Sequence, residues 1–162
     1  MELVGVRVEL PSNSPIVLLQ EQGGDERLLP IFIGGPEATA IALALDDVKT
    51  PRPMTHDLMR AILNELDVRL ERIVITDIRE RTFFAELHLA GNGTTHTISS
   101  RPSDAMALAV RTQTPVFVEE SVIEQAGYSA TDDDDDEDQD ADEVLEQFRE
   151  FIDNVTPDDF DG

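Results

Sequence analysis

The sequence predicts an α+β fold: a mostly antiparallel sheet of about six or seven strands with three helices, followed by an acidic extension. Three observations predict it. Short runs of alternating apolar and polar residues recur at close spacing between Gly-, Pro- and Asn-containing clusters, the mark of antiparallel strands. Three other stretches follow Pro or Thr start signals and carry continuous or 3.6-periodic apolar residues. Charge is concentrated at one end: of a net −23, residues 132–162 hold 16 acids and one base, leaving 19 acids and 11 bases for residues 1–131.

Val4, Val6, Val8 and Leu10 alternate with polar residues and read as a half-buried strand. The turn cluster at 11–15 ends it, and Ile16 to Glu21 is a second strand. Gln22-Gly23-Gly24-Asp25 turns the chain again into a third strand, Arg27 to Ile33, so the first three strands form an antiparallel meander. Pro36 then suits the first position of a helix running to about Asp47, and Glu37 suits its positive end. Ala38 and the run Ala40 to Leu45 make that helix apolar on nearly every face, which fits a buried helix or one shared with a second copy in a dimer. Thr50-Pro51-Arg52-Pro53 breaks the helix, and Thr55 is the expected cap of a second one, about His56 to Asp67. Leu58, Met59, Ile62, Leu63 and Leu66 form its apolar stripe.

Arg72 to Ile78, Phe83 to Leu89 and Thr94 to Ile98 read as three further strands, with Asn92-Gly93 a strong hairpin signal. A three-residue loop there would set His88 opposite His96 as a metal pair. The favoured two-residue turn sets His96 opposite Leu89 instead. A third helix is expected from Ala105 to Thr112, a last short strand from Pro115 to Val118, and a helical turn at Val122 to Ala126.

The domain boundaries follow: 1–128 is a folded domain, 129–141 an acidic disordered linker, and 142–162 a C-terminal amphipathic helix and tail. Like charges at the density of Asp132 to Asp138 repel and cannot bury a core. Val144, Leu145, Phe148, Phe151 and Ile152 form one stripe, on a helix too short to be stable alone; it needs its own domain, a second subunit or a partner protein to dock on. The chain has no Cys, which excludes disulfides, thiolate zinc sites and cysteine nucleophiles. The expected location is cytoplasmic: the N-terminus lacks a basic region followed by an apolar run, and the stretch Ala38 to Leu45 is too short to span a bilayer.

Three separated motifs carry a resemblance. They are Leu29-Pro30-Ile31-Phe32-Ile33-Gly34 with Glu37-Ala38 and Ile41; Arg52-Pro53-Met54-Thr55-His56-Asp57-Leu58; and Arg101-Pro102-Ser103-Asp104-Ala105-Met106-Ala107-Leu108-Ala109 followed by Pro115-Val116-Phe117-Val118. In this order and spacing they resemble the bifunctional nuclease family, a widespread bacterial and plant domain. The resemblance covers about residues 2–127, and the stretch from Glu146 to Phe160 is similar to the tail of bacterial members. It implies hydrolysis of DNA and RNA. The family pattern commonly has Asp two residues before the Arg of the third motif; Ser99 stands there in this chain.

Metal-assisted hydrolysis needs carboxylates for Mg²⁺ or Mn²⁺, a base, and a cation for developing charge. Within these motifs Glu37, Asp57 and Asp104 are the candidate carboxylates, His56 the candidate base or proton donor, and Arg52, Arg101 and Ser103 the candidate phosphate binders. Each also has a structural reading. Acids in first helical turns stabilise the dipole whatever the function. An Arg before a helix can brace the fold by pairing with Asp57 or Asp104. A His at a helix start is commonly just exposed. No Walker loop, His-Glu-x-x-His, Gly-x-Ser-x-Gly or dinucleotide fingerprint is present. The net −8 of residues 1–131 opposes long-range attraction to nucleic acid. It favours an alternative: a non-catalytic regulatory or protein-interaction domain acting through the acidic tail and C-terminal helix.

Overall fold

Glu2–Glu9 (β1), Ser14–Gln20 (β2) and Leu28–Phe32 (β3) form the expected antiparallel meander, in the order β1-β2-β3. The computed structural model describes residues 1–9 and 14–129 of the 162. The acidic linker and C-terminal helix expected from the sequence lie outside the described residues. Pro30 sits on the edge strand β3, where a missing N–H costs the ladder least.

After Gly35–Leu45 (α1) and Thr55–Glu65 (α2), a second sheet begins. It comprises Val68–Arg79 (β4), Thr82–Gly91 (β5), Thr94–Ser100 (β6) and Val116–Val118 (β7), in the order β6-β5-β4-β7. Pro102–Thr112 (α3) lies between β6 and β7, and Glu120–Ala126 (α4) follows β7. The strands therefore divide between two sheets rather than forming one, and β7 joins β4 in parallel. A connection of two helices separates β3 from β4, so neither strand inherits the other as a hairpin partner. The expected helical turn at 122–126 is a full helix, which makes four helices among the described residues.

The core lies where the two sheets meet α1 and α3. Leu19, Leu29 and Ile31 from the first sheet, Ile73 and Ile75 from the second, Ile41 from α1 and Met106 and Leu108 from α3 are all essentially inaccessible. α1 is buried from Ala38 to Ala42 within this one chain, so its all-round apolar surface does not require a dimer. α3 is buried from Ala105 to Ala109. It begins one turn earlier than the sequence predicted, because Pro102 fits the first helical position and Arg101 takes the cap. Similarly Met54, not Thr55, is the cap of α2.

The β5–β6 connection is the two-residue turn. Gly91 pairs with Thr94, and Asn92 (φ 52°) and Gly93 (φ 74°) are both left-handed, the conformation a tight hairpin demands. His96 thus lies opposite Leu89, and His88 lies opposite Thr97. The two histidines are not cross-strand partners.

Gly91 is required for a different reason. A Cβ there would lie 2.8 Å from the Asp67 carbonyl oxygen and 2.8 Å from Val68 Cγ2. The carbonyl belongs to the backbone and cannot rotate away. Gly91→Ala is expected to cost about 1–3 kcal/mol of overpacking, read as a lower denaturation midpoint in urea.

Candidate active site

Three helix first turns meet at one place. α1, α2 and α3 each carry an acid at their third residue: Glu37, Asp57 and Asp104. That position favours a carboxylate twice over, through the exposed N–H groups and the positive helix end. Two of the three acids converge on one guanidinium. Arg101 Nε donates to Asp104 Oδ2 (2.7 Å), and its Nη2 donates to Asp104 Oδ1 (3.1 Å) and to Glu37 Oε1 (2.8 Å). The same Oδ1 of Asp104 also lies 3.2 Å from His56 Nε2. The result is a continuous chain, Glu37–Arg101–Asp104–His56, drawn from three motifs spread over 68 positions of sequence.

The members differ in exposure. His56 is buried, unlike the exposed helix-start residue of its structural reading, whereas the Arg101 side chain is 66% exposed. In the tautomer with Nε2–H donating to Asp104, Nδ1 is an acceptor with no partner among the described residues. Arg101 Nη1 likewise keeps both its N–H donors unspent among them. Partial burial pushes the Asp104 carboxyl up, but its hydrogen bonds from Arg101 and His56 outweigh this and hold it below the ordinary range. The same contacts with Asp104 and then Glu37 raise Arg101 still further above its ordinary value.

Asp57 goes elsewhere. It accepts the Met54 N–H (3.1 Å), fixing the start of α2, and Arg111 Nε donates to it at 2.7 Å. Arg111 Nη1 also donates to the carbonyls of Ala40 and Ala107, both at 2.9 Å. One side chain therefore ties α1, α2 and α3 together just behind the network. Sequence reading overlooked Arg111; the available signal was a single charge closing the apolar run of α3.

Burial raises the Asp57 carboxyl, yet the Arg111 contact and the Met54 N–H bring it below its ordinary value of 3.8. A carboxyl with a depressed folded-state pKa contributes stability above the unfolded-state value and loses it as pH falls through the folded one. Thermal stability is therefore expected to fall below about pH 4. Asp57→Asn should flatten that acid limb in melting curves recorded from pH 7 down to pH 2.

Among the other candidates, Ser103 is buried in the first turn of α3. Arg52 is exposed on the loop before α2, with no side-chain contact to the network. Ser99 pairs with Glu86 one residue before the end of β6, and is exposed. Among the described residues no three His, Cys, Asp or Glu side chains gather as a metal-ligand group. A cleft of about 790 Å³ beside α2 is lined by Lys49, Asp57, Arg60 and Arg111 among others, but by no member of the network.

The family model described as the bifunctional nuclease domain matches residues 17–131, which hold all four network residues. The chain belongs to the bifunctional nuclease domain family. An uncharacterized protein of Mycobacterium tuberculosis is 46% identical over 162 residues, covering 99% of this chain and 96% of that one. Bifunctional nuclease 1 of Oryza sativa subsp. indica is 24% identical over 114 residues, 68% of this chain and 34% of its own. Bifunctional nuclease 2 of Arabidopsis thaliana is 26% identical over 128 residues, 76% of this chain and 39% of its own. The bifunctional nuclease domain thus accounts for little more than a third of those plant proteins. Among the described residues no helix is long and apolar enough to cross a membrane.

Proposed function

We propose that this bifunctional nuclease domain hydrolyses phosphodiester bonds of DNA or RNA at the Glu37–Arg101–Asp104–His56 network. The observation that carries the reading is the buried His56 held by Asp104, whose other oxygen is bound by an exposed arginine. A carboxylate on one imidazole nitrogen fixes the tautomer and supports positive charge on the ring. His56 Nδ1 then takes the proton of an attacking water or returns one to the leaving oxygen. Arg101 offers the two N–H donors of Nη1 to a phosphate oxygen as charge develops there. Arg52, on the loop leading to His56, extends phosphate binding along the strand, whereas Ser103 is buried in the first turn of α3.

The Glu37 and Asp104 oxygens that meet Arg101 Nη2 are the hard donors Mg²⁺ or Mn²⁺ prefers, and such an ion commonly takes only one or two protein carboxylates. These two residues would hold it only in place of Arg101 Nη2, which both oxygens bind; bound there it would supply Lewis-acid polarisation of a phosphoryl oxygen. Asp57, engaged by Arg111, is left to bracing.

The test is hydrolysis of labelled single- and double-stranded DNA and RNA by the full chain with Mg²⁺, Mn²⁺ or EDTA, beside His56→Ala and Asp104→Asn. Cleavage abolished by both substitutions supports the reading; cleavage that survives both removes the site. A second reading is a non-catalytic interaction domain, favoured by the net −8 of residues 1–131. Absence of cleavage under every condition would move the conclusion there.

A further inference from the structure

α2 carries an apolar stripe that its own domain leaves uncovered. Leu58, Ile62 and Leu66 recur every fourth residue and are 54%, 49% and 58% exposed. Met59 and Leu63, on the adjoining face, pack against the core. Val4, Phe32, Ile98 and Phe117 are the exposed large apolar residues on strands, each alone on its strand. Among the described residues only α2, with Leu66 at its C-cap, lines three of them up. No residue of the stripe lines the cleft beside α2, whose cations lie round the helix from it. Lys49 and Arg60 line the cleft beside α2, and Arg52 is exposed on the loop before it. Lys49 and Arg52 have no side-chain ion pair among the described residues, and Arg60 makes only a 3.3 Å contact with the Arg111 carbonyl.

We propose that residues 143–155 of the same chain dock on this stripe. Val144, Leu145, Phe148, Phe151 and Ile152 in that segment recur at helical spacing, complementary in kind to Leu58, Ile62 and Leu66. Thirteen residues wound as a helix span about 20 Å, against about 16 Å for α2. The intervening residues 130–142 extend to about 45 Å, which exceeds the ~36 Å diameter of a domain this size, so the tether brings the segment to most of the surface. Tethering also keeps the local concentration on the order of millimolar, which lets a weak apolar contact persist within one molecule.

The chain has no Cys, so Glu146→Cys gives the full chain a single attachment point for a nitroxide on the polar side of the segment. With methyl-labelled Leu and Ile, the Leu58, Ile62 and Leu66 signals are expected to lose most of their intensity, unchanged on tenfold dilution. Adding Phe148→Glu should restore all three. Ile62→Glu, an exposed change that spares the core, should restore Leu58 and Leu66. Three sharp methyl signals in the labelled chain would overturn the proposal. So would losses that survive Phe148→Glu. Losses that appear equally when the nitroxide and the methyl labels are on different molecules would assign the stripe to a second copy and overturn docking within the chain.

Discussion

Arg111→Met is expected to lower the melting temperature by about 10 °C. The Arg111 side chain is only 5% exposed and makes three hydrogen bonds to three helices. Removing one partner of a buried ion pair costs more than the pair contributes, because the remaining charge is stranded, typically 3–5 kcal/mol. Asp57 is 25% exposed and regains some water, so the lower end, about 3 kcal/mol, applies. A domain of this size loses a few degrees per kcal/mol. Arg111→Lys should recover only part of the loss. A single ammonium cannot reach Asp57 and two carbonyls from the fixed fork that guanidinium provides. Differential scanning calorimetry of both variants checks this; a fall of under about 3 °C for Arg111→Met would mean the fork does not brace the helices.

His56→Ala is expected to slow phosphodiester hydrolysis by roughly 10²–10⁴-fold, the range for a lost general acid or base. A merely structural role would lower activity through unfolding, so the melting temperature of the variant is measured beside its rate. Free imidazole added to His56→Ala should restore part of the rate if the ring transfers a proton, and none if it only packs. Arg101→Ala should act differently. It removes the exposed phosphate donors and also frees Glu37 and Asp104, so substrate binding weakens and becomes less salt-dependent. Full hydrolysis by His56→Ala with an intact fold would remove His56 from the chemistry.

Much of this was legible in the sequence. The strands appeared wherever alternation met turn residues, and their observed limits lie within a few positions of the predicted ones because both signals are local. Asn92-Gly93 fixed the β5–β6 register in the same way: few other pairs tolerate two consecutive left-handed residues. The residues of the network were all named from their motifs. Their grouping was not. Glu37, Asp57 and Asp104 look equivalent as first-turn acids, yet only two reach Arg101. The reason is Arg111, whose partner is chosen by how α2 packs on α3. The burial of His56 follows from the same packing, since a residue at a helix start carries no local mark of what will cover it.

Local chemistry alone, then, determined the α+β class, the hairpins and the acidic extension, because each depends on preferences within a few residues. Only the tertiary structure decided that seven strands divide into two sheets, that β7 joins β4 in parallel, and that Glu37 and Asp104 meet Arg101 while Asp57 meets Arg111. Those outcomes depend on contacts between residues tens of positions apart, whose energies are set by packing and desolvation.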